Sequence, residues 1–143
     1  MQRKEFLKAC GFACLGGGVL GSLLTGCAGT KMITGAIKDT DLVVPVAAFH
    51  TTEDTVRKYV VVHQEQLKYP ICIYRFSDTE YTALFMRCPH QGAELQVFGD
   101  RLECPAHGSE FNNKGIVQNG PADTNLRMFP VTINGDQLKI SLK

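Results

Sequence analysis

The chain has 143 residues, a formal net charge of +1 and 44% hydrophobic side chains. This length fits one compact domain, and the composition is that of a globular protein rather than a mainly disordered one. The near-neutral charge leaves no basic footprint for nucleic acid, so no nucleic-acid partner is expected. No apolar run reaches the roughly 20 residues that a transmembrane helix requires.

The first 26 residues have the order of features that is typical of an export signal. A basic start, with three Arg or Lys side chains in eight residues, precedes an apolar and glycine-rich run over residues 11–26. The run closes on Leu24-Thr25-Gly26-Cys27, which resembles the lipobox of bacterial lipoproteins. The resemblance implies cleavage before Cys27, acylation of its sulfur and attachment to a membrane surface. The alternative is an ordinary signal with an incidental cysteine.

The export route and the start of the folded domain are two further predictions from this region. Residues 3–8 resemble a twin-arginine export motif with Lys in place of one Arg, which leaves the Tat and Sec routes open. Residues 27–40 show Gly and Thr breaks without a clear period, so they are predicted to be a lipid-anchored tether. The chain is thus divided into a signal peptide (1–26), a tether (27–40) and a folded domain (41–143).

From residue 41 onward, short segments rich in β-branched and aromatic residues alternate with turn residues. The predicted strands are Leu42–Val46, Lys58–Val62, Ile71–Tyr74, Tyr81–Met86, Leu95–Phe98, Arg101–Glu103, Arg127–Ile133 and Gln137–Leu142. The last two flank Asn134-Gly135-Asp136, a strong hairpin signal. One turn of helix is predicted at 64–67. The pattern predicts an all-β fold, a small antiparallel sandwich or barrel.

Two short segments of similar sequence carry the chemistry. They are Cys88-Pro89-His90-Gln91-Gly92 and Cys104-Pro105-Ala106-His107-Gly108, and a predicted strand–turn–strand hairpin between them would bring them side by side. Two Cys and two His side chains suit a structural tetrahedral zinc, or a 2Fe–2S cluster in which two His replace two Cys on one iron. A Cys-x-His pair is tight for a single ion, so the spacing favours the cluster.

A Cys-x-His pair followed by a Cys-x2-His pair, here Cys88, His90, Cys104 and His107, is the signature of the Rieske family, which the sequence resembles over roughly residues 42–143. The resemblance implies an antiparallel β sandwich or barrel with a cluster-binding subdomain of two loops and one 2Fe–2S cluster. It implies that the two Cys bind the inner iron and the two His bind the outer iron, near solvent.

Departures from the family pattern bear on the reduction potential. Ala93 and Ala106 stand where respiratory members carry a disulfide, so that bridge cannot form. Ser109 matches a family Ser whose hydroxyl bonds a bridging sulfide, whereas Phe111 replaces a Tyr that bonds a Cys sulfur. Residues 120–122 resemble the Pro-rich loop that covers the cluster. We therefore predict a potential below the respiratory branch and well above the roughly −400 mV of plant-type ferredoxins.

These features predict a one-electron transfer protein anchored at the bacterial cell envelope, facing the periplasm or the outside, without substrate turnover of its own. Its partners would be an unidentified redox donor and an unidentified redox acceptor, with the membrane held through the lipid anchor. One alternative is a Rieske subunit of a larger oxidoreductase complex, such as an oxidase or a quinol-oxidising assembly. A third is a zinc-stabilised binding module. Cys72 is predicted to be a small buried hydrophobe, and His50 and His63 to be surface or strand residues.

Overall fold

A computed structural model describes residues 29–143, which form thirteen strands and one 3-10 turn at Val46–Phe49. The strands are β1 (Met32–Thr34), β2 (Ala36–Lys38), β3 (Asp41–Pro45), β4 (Tyr59–His63), β5 (Ile71–Arg75), β6 (Tyr81–Phe85), β7 (Gln96–Phe98), β8 (Arg101–Glu103), β9 (Glu110–Asn112), β10 (Val117–Asn119), β11 (Met128–Phe129), β12 (Val131–Asn134) and β13 (Gln137–Ser141). The prediction of an all-β fold is confirmed. Within these residues no helix is long and apolar enough to cross a bilayer.

The strands form three sheets. The central sheet has the order β1-β4-β5-β6-β11, and a second sheet, β12-β13-β3-β2, packs on one of its faces. The third sheet, β10-β9-β8-β7, packs on the other face; we call it the loop-bearing sheet. Every pair of neighbouring strands is antiparallel except β1 and β4, which are parallel.

Alternation along the central strands sends side chains into two separate cores. In β4, Val60 and Val62 pack between the central and second sheets, in a cluster that we call the base core. Val61 points the other way, into the upper core beneath the loop-bearing sheet. In β5, Ile73 likewise lies in the base core and Cys72 in the upper core. Burial on both faces explains why these strands are continuous apolar runs.

The predicted tether is wrong for residues 32–38, which form β1 and β2. Met32 pairs with Val61 in the central sheet, and Ile37 packs against the base core. Gly35, between the two strands, is buried; a Cβ there would lie 2.5 Å from Leu42. Strands of three residues are too short to show a period, and they are held by pairing with distant partners. Within the described residues, strands therefore begin at residue 32 rather than near 41.

Two local predictions also differ from the structure, and one short element was not predicted. Residues 64–67 form a hydrogen-bonded turn, with the Leu67 amide 2.9 Å from the Gln64 carbonyl, and not a turn of helix. The 3-10 turn at 46–49 was not predicted, although its buried Phe49 anchors it in the base core. Pro130 lacks the N–H that a ladder needs, so it splits the predicted strand 127–133 into β11 and β12.

Gly29, the first described residue, and the segment that contains Cys88 lie at opposite ends of the central sheet. β1 runs parallel to β4, while β5 is antiparallel to β4 and β6 is antiparallel to β5. The C-terminal end of β6, which leads to Cys88, therefore lies at the same end of the sheet as the C-terminal end of β1. Gly29 precedes β1 and lies at the opposite end.

Candidate metal centre

Two loops at one end of the loop-bearing sheet hold the predicted ligands. The first loop, residues 88–93, follows β6, and the second loop, residues 104–109, connects β8 to β9. The hairpin of β7 and β8 links the two loops, and its antiparallel register, in which Gln96 pairs with Glu103, brings them to the same end. The predicted strand–turn–strand connection between the loops is confirmed.

Both loops have the same backbone geometry. In the first, the Cys88 amide donates to the Ala93 carbonyl and the Gly92 amide donates to the Cys88 carbonyl, both at 2.8 Å. The second loop repeats these bonds around Cys104, at 2.8 and 2.9 Å. Gly92 and its counterpart in the second loop have φ of 78° and 80°, a region that favours glycine. The repeated Gly in the sequence is therefore needed to close each loop over its Cys.

The four predicted ligands separate into two pairs by burial. Cys88 and Cys104 are 1% and 3% exposed, and both pack in the upper core. His90 and His107 are exposed, and their rings lie perpendicular with centroids 5.0 Å apart. A thiol pair therefore lies inside the fold, and an imidazole pair lies at its surface.

This separation bears on the choice between zinc and an iron–sulfur cluster. Among residues 29–143, no group of three or more His, Cys, Asp or Glu side chains is placed around one ion position. A structural zinc requires four donors around a single ion, whereas a cluster with mixed ligands requires two thiolates on one iron and two imidazoles on the other. The donor set therefore fits the two-iron group.

Burial also affects the ionisation of the Cys88 thiol. Desolvation raises the pKa of the Cys88 thiol, and the backbone N–H of His90 opposes that rise by donating a hydrogen bond to the sulfur. A buried thiol with a raised pKa ionises when a metal cation takes the place of its proton. The two Cys are thus buried thiols that a metal cation could ionise, rather than exposed reactive thiols.

Ser109 lies at the last position of the second loop and is fully buried. Its Oγ accepts a hydrogen bond from the Ala122 amide at 3.0 Å, and its hydroxyl opposes the rise in the pKa of the Cys88 thiol by favouring the thiolate. Ala122 closes residues 120–122, which we call the third loop. The structure therefore places Ser109 between the third loop and the thiol pair.

The structure adds residues near the site that sequence reasoning missed. Tyr69, in the connection before β5, donates its hydroxyl to the Gly92 carbonyl at 2.6 Å. Nothing in the local sequence marks this Tyr, because the contact is between residues 23 positions apart. The Arg87 guanidinium also lies beside Gly92.

The other cysteines and histidines lie apart from this site. Cys72 is fully buried in the upper core, as predicted. His50 is exposed after the 3-10 turn, and His63 ends β4. Cys27, the predicted acylation site, lies outside the described residues.

A family model, the Rieske [2Fe-2S] domain, matches residues 41–130. The mitochondrial Rieske subunit of the cytochrome b-c1 complex from Chlorocebus aethiops is 30% identical over 101 residues, which are 67% of this chain and 36% of that protein. The oxygenase component of dicamba O-demethylase from Stenotrophomonas maltophilia is 39% identical over 72 residues, 43% of this chain and 21% of that protein. The chain thus spans about a third and a fifth of these relatives.

Solved structures agree on the fold. A chain in the complex of reduced oxygenase and oxidized ferredoxin in carbazole 1,9a-dioxygenase superposes with a TM-score of 0.55 at 24% identity, covering 74% of this chain and 96% of that one. The ferredoxin of carbazole 1,9a-dioxygenase from Nocardioides aromaticivorans IC177 gives 0.52 at 17% identity, covering 73% and 100%.

The match to the family model covers more than half of the chain and includes both loops. The predicted fold class and the predicted 2Fe–2S cofactor are confirmed by it. The chain belongs to the Rieske [2Fe–2S] family.

Proposed function

We propose that this protein transfers single electrons through a Rieske 2Fe–2S cluster held by Cys88, Cys104, His90 and His107. The observation that carries the proposal is the separation of these donors into a buried thiol pair and an exposed imidazole pair. When bound, the cluster accepts and releases one electron. The thiols hold it inside the fold, and the imidazoles form the surface through which a docked partner exchanges that electron.

The surface around the imidazoles supports contact with another protein. Pro89, Gln91, Pro105 and Ala106 flank the two His side chains and carry no formal charge. Three of these four are exposed and Pro89 is half-buried. A partner can approach such a surface without desolvating an ion pair, and rim charges further out would set its rate of approach.

We further propose that the protein is held at the cell envelope through a lipid on Cys27. Supporting this, Gly29 lies at the end of the central sheet opposite the two loops. A lipid two residues before Gly29 would hold that end near the membrane. The imidazole pair would then face away from the lipid, toward partners in the aqueous phase.

The alternative function is a subunit of a larger oxidoreductase. The relatives named above include a subunit of the cytochrome b-c1 complex and an oxygenase component, which favour it. Extraction in mild detergent followed by size-exclusion chromatography separates the two. A free carrier elutes at the size of the monomer with its bound detergent, whereas a subunit co-elutes with stoichiometric partner chains.

The ligand assignment is tested by metal analysis of the protein with single substitutions. The wild-type protein is expected to contain two irons and two acid-labile sulfides and to be red-brown. His107→Ala should lose most of its iron, because one iron then lacks a ligand. His50→Ala, at a histidine distant from the loops, is the matched control and should keep it. One zinc and no sulfide in the wild-type protein would refute the cluster.

The anchor is tested by fractionating cells fed a labelled fatty acid. The wild-type protein should carry the label and pellet with membranes, because its acylated Cys27 inserts into lipid. Cys27→Ala should carry no label, while Cys14→Ala, at a cysteine inside the predicted signal peptide, should be labelled as wild type. Label on the Cys27→Ala protein would contradict the proposed anchor.

The potential predicted from the sequence is tested by protein-film voltammetry. Compared with the family pattern, Ser109 keeps one hydrogen-bond donor near the cluster, whereas Phe111 lacks the hydroxyl of the Tyr that it replaces. An intermediate reduction potential is therefore expected, within the roughly −150 to +300 mV of mixed-ligand clusters. A value near about −400 mV, as in four-Cys clusters, would contradict the prediction, and so would a value as high as that of the respiratory branch.

A further inference from the structure

The two loops share a backbone fold, but different side chains tie them to the rest of the domain. The second loop is tied through Ser109, whose Oγ accepts the Ala122 amide at 3.0 Å. Ala93 occupies the matching position of the first loop. Its carbonyl accepts a hydrogen bond from the Cys88 amide, just as the Ser109 carbonyl accepts one from the Cys104 amide. Ala93 has no hydroxyl, so the first loop cannot be held in this way.

A hydrogen bond from Tyr69, in the connection before β5, holds the first loop instead. Its hydroxyl donates to the Gly92 carbonyl at 2.6 Å, in a partly buried position. The Tyr69 ring packs edge-on against Phe85, the last residue of β6, with centroids 5.5 Å apart and an interplanar angle of 83°. Lys68 places its ammonium 5.5 Å from the centre of the same ring. Because the ring is packed, the hydroxyl is held in one place.

Gly92 connects this tie to the ligand segment. Its amide donates to the Cys88 carbonyl at 2.8 Å, while its carbonyl accepts from Tyr69. Its φ of 78° lies in the left-handed region that favours glycine, and a Cβ there would lie 3.2 Å from the Arg87 guanidinium. The Gly92 amide is bonded to Cys88 and the Gly92 carbonyl to Tyr69. These two bonds hold both ends of the segment that carries Pro89 and His90.

We propose that Tyr69 is a positioning residue for the 2Fe–2S cluster, holding the first loop so that Cys88 and His90 stay in place. This inference rests on the ligand set proposed above. Tyr69 touches the loop backbone and acts on the ligands through Gly92. Its loss should leave the fold intact and let the first loop open more often, so that the cluster is released faster.

The test compares Tyr69→Phe with Tyr59→Phe in the full-length protein loaded with its cluster. Each substitution removes one phenolic hydroxyl, and the Tyr59 hydroxyl lies 3.3 Å from Thr30 Oγ1 at the opposite end of the sheet. Cluster loss is followed by the decay of visible absorbance in excess iron chelator. Tyr69→Phe should lose its cluster about five- to tenfold faster than wild type, the factor expected for one hydrogen bond. Tyr59→Phe should match wild type.

Two further readouts distinguish positioning from general destabilisation. Urea unfolding of the cluster-free proteins should be unchanged by Tyr69→Phe, and the EPR lines of the reduced cluster should broaden as the His90 side of the site becomes heterogeneous. Equal rates of cluster loss in Tyr69→Phe and wild type would overturn the inference alone. A faster loss with an equal drop in urea stability and unchanged EPR lines would also overturn it. Wild-type protein without iron or sulfide would instead refute the ligand set itself.

Discussion

At the scale of single residues, two buried groups of the upper core behave differently although both are small. Ser109 is fully buried; its Oγ accepts from the Ala122 amide, and its hydroxyl opposes the rise in the pKa of the Cys88 thiol. Cys72 is equally buried among the side chains of the upper core. The first residue therefore connects parts of the site, whereas the second fills space beneath it.

Ser109→Ala is expected to lower both stability and reduction potential. The Ala122 amide would be left buried without a partner, at a cost of about 1–3 kcal/mol. Loss of the Ser109 hydroxyl removes a polar group beside the proposed cluster that would stabilise the added negative charge, and about 1.4 kcal/mol corresponds to about 60 mV for one electron. Voltammetry and thermal unfolding measure the two effects. Ser77→Ala, in an exposed turn, is the control, and an unchanged potential in Ser109→Ala would contradict the expectation.

Cys72 should make the stability fall at alkaline pH. Burial raises the pKa of its thiol far above the ordinary 9.0, so the folded protein keeps this proton when the unfolded chain releases it. The unfolded state then binds fewer protons, and the free energy of unfolding decreases as pH rises above about 9. The stability difference between wild type and Cys72→Ala, measured by urea unfolding, should shrink by about 1.4 kcal/mol from pH 8 to pH 10. A difference that stays constant over this range would show that the thiol ionises equally in both states.

At the scale of elements, turns with positive φ occur both on the surface and inside the domain. Gly135 turns the hairpin of β12 and β13 with φ of 61°, and the space around it is open. Gly115 follows β9 with φ of 76°, but a Cβ there would lie 2.9 Å from Leu84 and 3.4 Å from Leu126. The same backbone requirement therefore has different packing consequences in the two turns.

Gly135→Ala and Gly115→Ala separate these two effects. Gly135→Ala should cost about 1–2 kcal/mol, because only the left-handed backbone is strained. Gly115→Ala should cost more, since Leu84 must also shift in a closely packed core. Urea unfolding of the two variants measures the difference. Equal losses would show that the upper core yields without cost at Leu84.

At the scale of the whole molecule, the central sheet divides the domain into two halves with separate cores. The base core draws on β3, β4, β5, β6, β11 and β13, none of which includes a cluster ligand. The upper core includes Cys88 and Cys104 themselves, beside Leu102 and Phe111. The cluster should therefore stabilise the upper half directly and the base half only through the shared sheet.

Removal of the iron with a chelator should loosen the two halves unequally. Without the cluster, two buried thiols replace metal bonds, so the loop-bearing sheet should open locally. Hydrogen exchange at the amides of Leu102 and Phe111 should accelerate by about a hundredfold or more, while Val60 and Ile73 should change by less than about tenfold. Uniform acceleration at all four amides would contradict the separation into two cores.

Sequence alone was sufficient for features that depend on near neighbours. The repeated Cys, His and Gly positions predicted two matching loops, because each loop closes within six residues around its own Cys. The middle strands of the central sheet, β4 and β5, were predicted because burial on both faces requires continuous apolar runs.

Only the tertiary structure decided features that depend on distant partners. Strands β1 and β2 exist because β4 and β3 provide ladders for them, and Tyr69 meets Gly92 because the central sheet carries both to one end. The division of the ligands into a buried thiol pair and an exposed imidazole pair likewise follows from packing of the loop-bearing sheet on the central sheet. Spacing along the chain fixes which residues can meet locally, whereas burial and long-range contact arise only when separate elements pack together.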